Sequence, residues 1–161
     1  METLFAPWRS AYVQGVHKNE SGSCIFCAAW QEKDDEKHLV LARTGKAFAM
    51  MNLYPYNPGH ALIVPNRHVN RLQELAKEEM GELLEWAVRL ESALHRAFKP
   101  DGINIGMNLG KAAGAGIEAH LHVHTVPRWN GDTNFMPVIS ETKVISEALQ
   151  ESFHKLRDAL L

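Results

Sequence analysis

The segment Glu118-Ala119-His120-Leu121-His122-Val123-His124-Thr125-Val126 alternates imidazole and apolar side chains across its centre. Successive side chains of a β-strand point to opposite faces, so this alternation predicts a strand over residues 118–126, ended by Pro127. The three histidines then share one face of that strand. Because a core-facing strand would carry apolar groups there, three imidazoles in register require solvent, hydrogen bonds, a metal or a ligand.

Three interpretations of these histidines are open. An exposed edge strand would explain one histidine, but histidine has no strand preference that would explain three. A metal site on all three rings conflicts with strand geometry, because His120 and His124 would lie about 13 Å apart whereas Zn–N bonds are about 2 Å long. At most two of the rings could share one ion without a bend in the strand. The third interpretation is nucleophilic catalysis.

The chemistry of imidazole fits this third interpretation, with a phosphoryl group as the group that is attacked. Imidazole is uncharged near neutral pH, exposes a nitrogen lone pair and forms a phosphoramidate that breaks down readily. A neighbouring imidazole can donate a hydrogen bond to the phosphoryl oxygens where charge builds up. The glycine-rich residues 110–116, just upstream, offer backbone N–H groups suited to the same oxygens.

The rest of the chain predicts more strands and two helices. Apolar runs predict strands over residues 47–53, 60–64 and 103–108, the first two joined by a turn that contains two prolines and a glycine. Helical spacing predicts a long amphipathic helix that begins with Asn70 and Gln73 as its cap and ends near Lys99. A second helix is predicted over residues 144–160. Long crossover helices between all strands are missing, which favours an α+β domain on an antiparallel sheet.

Composition limits the classes of function. The chain has 161 residues, 45% of them apolar, which is enough for one domain with a buried core. The net charge of −2 gives no electrostatic basis for binding a nucleic acid polymer, although a local site could hold a small anion. Residues 1–8 lack a signal-peptide pattern, and no stretch approaches the roughly 18 apolar residues of a membrane helix. We therefore expect a cytoplasmic protein without a membrane partner.

The two cysteines form the motif Cys24-Ile25-Phe26-Cys27. In a reducing compartment such a pair binds metal or does redox chemistry more often than it forms a structural disulfide. The spacing alone leaves a structural or redox role open beside a metal site. A tetrahedral zinc site would need two further ligands.

The run His-Leu-His-Val-His-Thr-Val resembles the His-x-His-x-His-x-x pattern of the histidine triad (HIT) family, whose members hydrolyse or transfer nucleotides. The opening Ala6-Pro7-Trp8-Arg9 and the extension Pro127-Arg128-Trp129-Asn130-Gly131-Asp132-Thr133-Asn134-Phe135 resemble the branch that contains bacterial diadenosine tetraphosphate phosphorylases. The resemblance implies a HIT-like α+β fold with an antiparallel sheet of about five strands, one long helix and a C-terminal helix. It also implies a single HIT domain over residues 1–161, with an N-terminal arm over 1–22 and a C-terminal helical extension over 137–161, in a homodimer.

The resemblance implies a role for each of four polar residues. His122 is the nucleophile and His124 contacts the phosphate that is transferred. Asn52 would hold the ribose hydroxyls of the substrate, and His60 matches another active-site histidine.

The loop before the triad would contact the phosphates of the substrate. By resemblance this loop provides Asn108 and the two glycines Gly114 and Gly116. Many relatives carry Gly-Gln-Ser or Gly-Gln-Thr here, whereas this chain reads Gly114-Ala115-Gly116-Ile117. Backbone N–H groups must therefore replace a side-chain contact.

The resemblance also extends to zinc-containing relatives, among them galactose-1-phosphate uridylyltransferases. Their ligands are two cysteines, a histidine after a strand end and the first histidine of the motif. The counterparts in this chain are Cys24, Cys27, His68 and His120. We expect a structural zinc, because a closed Cys₂His₂ shell leaves no open position for catalysis, and we expect no organic cofactor.

The expected reaction is cleavage of a dinucleoside polyphosphate, such as diadenosine tetraphosphate, by phosphorolysis through a nucleotidyl intermediate on His122. Water could replace phosphate as the acceptor, with a nucleoside phosphoramidate or a dinucleoside polyphosphate as substrate. Two alternatives need no turnover: a nucleotide-binding regulatory module, and a metal-storage or metal-sensing protein with more than one metal per chain.

Overall fold

The computed structural model describes residues 24–133 and 145–161. The strands are β1 (Val40–Arg43), β2 (Ala47–Met51), β3 (Ala61–Pro65), β4 (Gly102–Gly106) and β5 (Val123–Arg128). They form one antiparallel sheet in the order β1-β2-β3-β5-β4. The helices are α1 (Ile25–Glu32), α2 (Lys77–Phe98) and α3 (Leu149–Leu160), with short 3₁₀ turns at Leu72–Glu74 and Lys111–Ala113.

The predicted α+β fold, with five antiparallel strands, a long helix and a C-terminal helix, is confirmed. The predicted arm over residues 1–22 and the start of the predicted extension over 137–161 lie outside the described residues. In the part of the chain that the structure describes, no helix is long and apolar enough to cross a membrane.

Side chains of the central strands alternate between two apolar layers, so every residue of β2 and β3 is buried. One layer contains Ala49 and Ile63 and includes buried side chains of α2 and α3. The opposite layer contains Phe48 and Leu62 and is covered by α1 through Phe26. Helix α1 and strand β1 were not predicted from the sequence, because both are short and border a charged stretch without clear periodicity.

The predicted start of the long helix is wrong. Asn70 and Gln73 do not form its cap; the Glu74 carboxylate instead accepts the backbone N–H groups of Asn70 and Arg71 at 3.0 and 2.9 Å. The chain is then extended at residues 75–76, and α2 begins only at Lys77. Glu79 accepts the N–H of Ala76 at 2.7 Å, which satisfies one donor at the new helix start.

The predicted strand over residues 118–126 is wrong at both ends, since β5 begins at Val123 and runs through Pro127 to Arg128. Residues 120–122 lie outside the sheet, where Leu121 N–H donates to the carbonyl of Val69 at 2.7 Å. Pro127 pairs with β4 beyond the point where pairing with β3 ends, at Thr125. Because only one neighbouring strand remains there, a residue without an N–H is tolerated.

Candidate active site

Three histidines, His60 and the neighbours His122 and His124, meet on the α1 side of the sheet. His124 lies on β5 between Leu62 of β3 and Gly106 of β4. His60 ends the turn before β3, two residues before Leu62, and therefore shares its face. His60 Nε2 lies 3.0 Å from His124 Nδ1, and the rings of His122 and His124 are 4.9 Å apart at 66°. All three side chains are buried.

The hydrogen bonds of His60 and His124 fix which nitrogens carry protons. The backbone N–H of Tyr56 donates to His60 Nδ1 at 3.0 Å, so the proton of a neutral His60 is on Nε2. That N–H then donates to His124 Nδ1 at 3.0 Å. A neutral His124 therefore carries its proton on Nε2.

His122 is held in the opposite tautomer. Its Nδ1 lies 2.9 Å from the backbone carbonyl oxygen of His120, which only accepts, so Nδ1 carries the proton. The lone pair of a neutral His122 is therefore on Nε2. One ring thus presents a nucleophilic nitrogen and its neighbour an N–H donor, which is the combination that phosphoryl or nucleotidyl transfer requires.

Asn52 follows β2 and lies beside His60. Its backbone N–H donates to the His60 carbonyl at 2.9 Å, and its side-chain Nδ2 is 3.4 Å from the His60 ring nitrogens. Its Oδ1 accepts the N–H of Tyr54 at 3.1 Å. The structure therefore brings together the predicted site residues Asn52, His60, His122 and His124.

The loop after β4 leaves the sheet next to His124, because Gly106 is the residue paired with it. Within the loop, Asn108 Nδ2 donates to the Gly114 carbonyl at 3.4 Å. Gly110 and Gly114 have φ of +83° and +88°, a conformation that favours glycine. The side chain of Asn108 is thus directed into the loop, which begins beside His124. A contact of Asn108, Gly114 and Gly116 with substrate phosphates stays a prediction.

A second cluster lies beside the histidines. The ligand atoms of Cys24, Cys27, His68 and His120 all lie within 4.8 Å of one another. Sγ of Cys24 and Sγ of Cys27 are 3.4 and 3.7 Å from His120 Nδ1, and Cys27 Sγ is 3.3 Å from His68 Nδ1. Zinc bonds of about 2.3 Å to sulfur and 2.0 Å to nitrogen in a tetrahedron give S···N separations of about 3.5 Å, so this donor set fits one metal ion.

The protonation of the cluster also fits a cation. His120 Nε2–H donates to the Pro65 carbonyl at 2.8 Å, so the Nδ1 lone pair faces the thiols. Burial lowers the pKa of His120 to about 4, which keeps its ring neutral. Burial, with the neighbouring Cys24 thiol, raises the pKa of Cys27 to about 11, so a thiolate at this position would need a counter-charge. A bound cation supplies that counter-charge.

Comparisons with known proteins agree with this geometry. The HIT domain family model matches residues 33–131, which include His60 and the three clustered histidines of the motif. The chain belongs to the HIT domain family. A relative from Mycobacterium tuberculosis, named AP-4-A phosphorylase, is 38% identical over 94% of this chain and 80% of the relative. The resemblance to the HIT family and to its diadenosine tetraphosphate phosphorylase branch is confirmed.

Two further relatives of this HIT protein extend the comparison. A bis(5'-adenosyl)-triphosphatase from Dictyostelium discoideum is 42% identical over 55% of this chain and 59% of the relative. The crystal structure of a Zn-bound histidine triad family protein from Mycobacterium smegmatis has a TM-score of 0.69 and 27% identity, and covers 86% of this chain and 93% of that one. The similarity between the two structures confirms that this chain has the HIT fold.

Sequence analysis missed two contributors to this HIT site. The backbone N–H of Tyr56 sets the tautomer of His60, and backbone groups leave no trace in the sequence. Phe26 places its ring 5.3 Å from His120 and 5.1 Å from His122. Its position inside the Cys24–Cys27 motif was the available signal, but only the fold brings α1 against the histidines.

Proposed function

We propose that this HIT protein cleaves a dinucleoside polyphosphate, such as diadenosine tetraphosphate, by transferring a nucleotide through His122. The observation that carries the proposal is the hydrogen bond from His122 Nδ1–H to the His120 carbonyl, which leaves the Nε2 lone pair as the nucleophile. The identity of 38% to an AP-4-A phosphorylase over nearly the whole chain supports this substrate class.

In the first step His122 Nε2 attacks the α-phosphorus in line. A P–N bond forms, the P–O bond to the remaining polyphosphate breaks, and the electron pair leaves with the polyphosphate. The His122 ring becomes positively charged, and its Nδ1–H stays on the His120 carbonyl, which stabilises that charge. His124 Nε2–H donates to the phosphate oxygens, where negative charge builds up.

In the second step an acceptor attacks the nucleotidyl-histidine and the P–N electron pair returns to Nε2. Inorganic phosphate as acceptor gives a nucleoside diphosphate, and water gives a nucleoside monophosphate. We propose phosphate, because the phosphorylase relative matches 94% of this chain whereas the triphosphatase matches 55%.

Substrate contacts follow from the positions of the remaining polar groups. Asn52 lies beside His60 at the end of β2, where its amide would bind the ribose hydroxyls. His60 acts through His124, whose proton it places on Nε2. The loop with Asn108, Gly114 and Gly116 leaves β4 next to His124 and would direct backbone N–H groups at the phosphates.

We propose zinc as the metal of the cluster, held by Cys24, Cys27, His68 and His120 in a closed shell. It would tie the start of α1 to the segment before β5. A reducing compartment such as the cytoplasm would keep both thiols available. Elemental analysis should find one zinc per chain, lost on Cys27→Ser. More than one metal would favour the storage alternative, and none would contradict the zinc proposal.

We also propose that one HIT domain spans residues 1–161 and that the protein is a homodimer built on β4 and α2. Strand β4 is an edge of the described sheet, and Ile105 on it is 48% exposed. Arg96 of α2 donates to the Ala159 carbonyl of α3, and α3 packs against β1, so the opposite side of α2 points toward the β4 end of the sheet. That side carries three exposed apolar residues spaced four apart: Met80, Leu84 and Val88.

Oligomeric state tests the dimer directly. Light scattering should give a dimer for the wild type and a monomer for Ile105→Lys, because a buried unpaired charge opposes association. Leu53→Lys is the matched control, since Leu53 is exposed but outside this surface, and it should remain a dimer. A monomeric wild type would contradict the proposal.

His122→Ala tests the nucleophile. Incubation with diadenosine tetraphosphate and phosphate should yield a nucleoside diphosphate and, in quenched samples, a nucleotidyl adduct on wild-type His122. The variant should form neither product nor adduct, whereas His95→Ala, an exposed histidine of α2, should match the wild type. Substantial product from His122→Ala would refute the role of His122. Product formed equally without phosphate would establish hydrolysis, and binding without any product would favour the regulatory module.

A further inference from the structure

Phe26 lies between the two cysteines, in the first turn of α1, and none of its surface is exposed. Its ring centroid is 5.1 Å from that of His122, with the planes at 49°, and 5.3 Å from that of His120, with the planes at 78°. These distances and tilts are those of favourable aromatic pairs. Phe26 therefore contacts both the proposed nucleophile and a ligand of the metal cluster.

The His122 ring needs more than one constraint to aim Nε2 at phosphorus. The hydrogen bond from Nδ1 to the His120 carbonyl fixes one atom of the ring, but a single bond does not by itself set the tilt of the ring. The His124 ring lies 4.9 Å away and is itself held by His60. Phe26 adds a rigid apolar contact from α1, a different element of the fold.

We infer that Phe26 is a positioning residue: its ring holds the His122 imidazole in the tilt that aims Nε2 at the substrate phosphorus. The inference rests on the proposed nucleophilic role of His122. Phe26 has no exposed surface with which to bind substrate, so it acts through His122. Because Phe26 is flanked by Cys24 and Cys27, an ion held by that cluster fixes the same helical turn and with it the ring.

The test compares Phe26→Leu with Phe48→Leu. Phe48 is the matched control, because it is equally buried in the same apolar layer but packs on Trp30 at 5.7 Å. Both variants lose a ring from one layer and should lose comparable stability. Only Phe26→Leu should slow the first-turnover rate of adduct formation on His122, by roughly two- to twelvefold, the factor that corresponds to an aromatic pair of about 0.5–1.5 kcal/mol. KM and metal content should remain near those of the wild type.

A spectroscopic measurement reads the same effect without turnover. Long-range ¹H–¹⁵N spectra of the imidazoles report which nitrogen of His122 carries the proton. The wild type and Phe48→Leu should show the Nδ1–H form of His122 alone. Phe26→Leu should show an added Nε2–H fraction or exchange broadening, because a ring free to tilt loses its bond to the His120 carbonyl.

Four outcomes would overturn the inference. In the first, the first-turnover rate of Phe26→Leu equals that of Phe48→Leu. In the second, Phe26→Leu has a raised KM and an unchanged rate, and in the third its His122 spectrum is that of the wild type. In the fourth, Phe26→Leu loses metal but its rate is no lower than that of metal-free Cys27→Ser. Failure of the proposed function looks different. In that case the wild type forms no adduct on His122, while the spectra still report whether Phe26 positions the ring.

Discussion

Replacing Gly59 with alanine should destabilise the fold by about 2–5 kcal/mol. Gly59 has φ of +78°, and an L-residue in this region costs about 1–2 kcal/mol. The added Cβ would also lie 2.9 Å from Phe98 Cε2 and 3.2 Å from Leu94 Cδ2, closer than real Cβ atoms approach the first of these. Both neighbours are packed side chains of α2, and overpacking of this kind costs about 1–3 kcal/mol.

Two other glycines separate the backbone contribution from the steric one. Gly110 has φ of +83° but nothing within 4 Å of its Cβ position, so Gly110→Ala should cost about 1–2 kcal/mol. Gly45 has nothing within 4 Å and no positive φ, so Gly45→Ala should change stability by less than about 1 kcal/mol. Urea unfolding followed by far-ultraviolet circular dichroism measures all three variants.

A Gly59→Ala variant no less stable than Gly110→Ala would refute the steric part of this reasoning, and one as stable as Gly45→Ala would refute both parts. The position also bears on the site, because His60 follows directly and its backbone N–H donates to the Asn57 carbonyl at 3.1 Å. At urea concentrations at which Gly59→Ala is still folded, displacement of this turn should weaken the hydrogen bond between His60 and His124. The first turnover of the variant should therefore be slower than that of the wild type.

Three further predictions concern protonation and metal. His60→Ala should lower kcat about 100-fold in steady-state assays while the adduct on His122 still forms. The reason is that His124 loses the donor that places its proton on Nε2. An unchanged kcat would contradict the tautomer assigned to His124. Arg67 holds the pKa of Glu79 near 2, below the usual 4.5, so the carboxylate stabilises the fold above pH 4.5 and loses that contribution as pH falls toward 2. Glu79→Gln should therefore cost about 1–2 kcal/mol at pH 7 and progressively less in acid, whereas Glu78→Gln, exposed in the same turn, should cost less than about 1 kcal/mol at pH 7. Zinc at 100 times its Kd should stabilise the wild type by about 2.7 kcal/mol in thermal unfolding, and equal stability with and without a chelator would exclude a structural role.

Much of the sheet was predictable because its signals are local. The apolar runs of β2 and β3, the proline-rich turn between them and the amphipathic spacing of α2 each depend on residues close in sequence. Helix α1 was not predictable in this way, since eight residues give too little periodicity and its packing on Phe48 and Leu62 is decided by the fold.

The histidine segment shows where strand logic stops applying. Alternation placed the three rings on one face, yet residues 120–122 leave the sheet, held by the carbonyls of Pro65 and Val69. The departure from the strand lets His120 turn its Nδ1 toward the cysteines while His122 and His124 stay 4.9 Å apart. The family resemblance offered candidate residues for both sites but not the backbone acceptors that separate them.

His120 belongs to both the cluster of cysteines and histidines and the candidate active site, through its side chain and its backbone carbonyl. Its side chain faces the thiols of Cys24 and Cys27, and its backbone carbonyl accepts a hydrogen bond from the Nδ1–H of His122. Removal of metal would therefore disturb the proposed nucleophile even though a closed Cys₂His₂ shell has no open position at which to activate a substrate. Loss of activity on chelation would not by itself identify a catalytic metal. Under the proposed function, the adduct makes the distinction: a structural ion would change the rate at which His122 is nucleotidylated, whereas the attack would still depend on its Nε2.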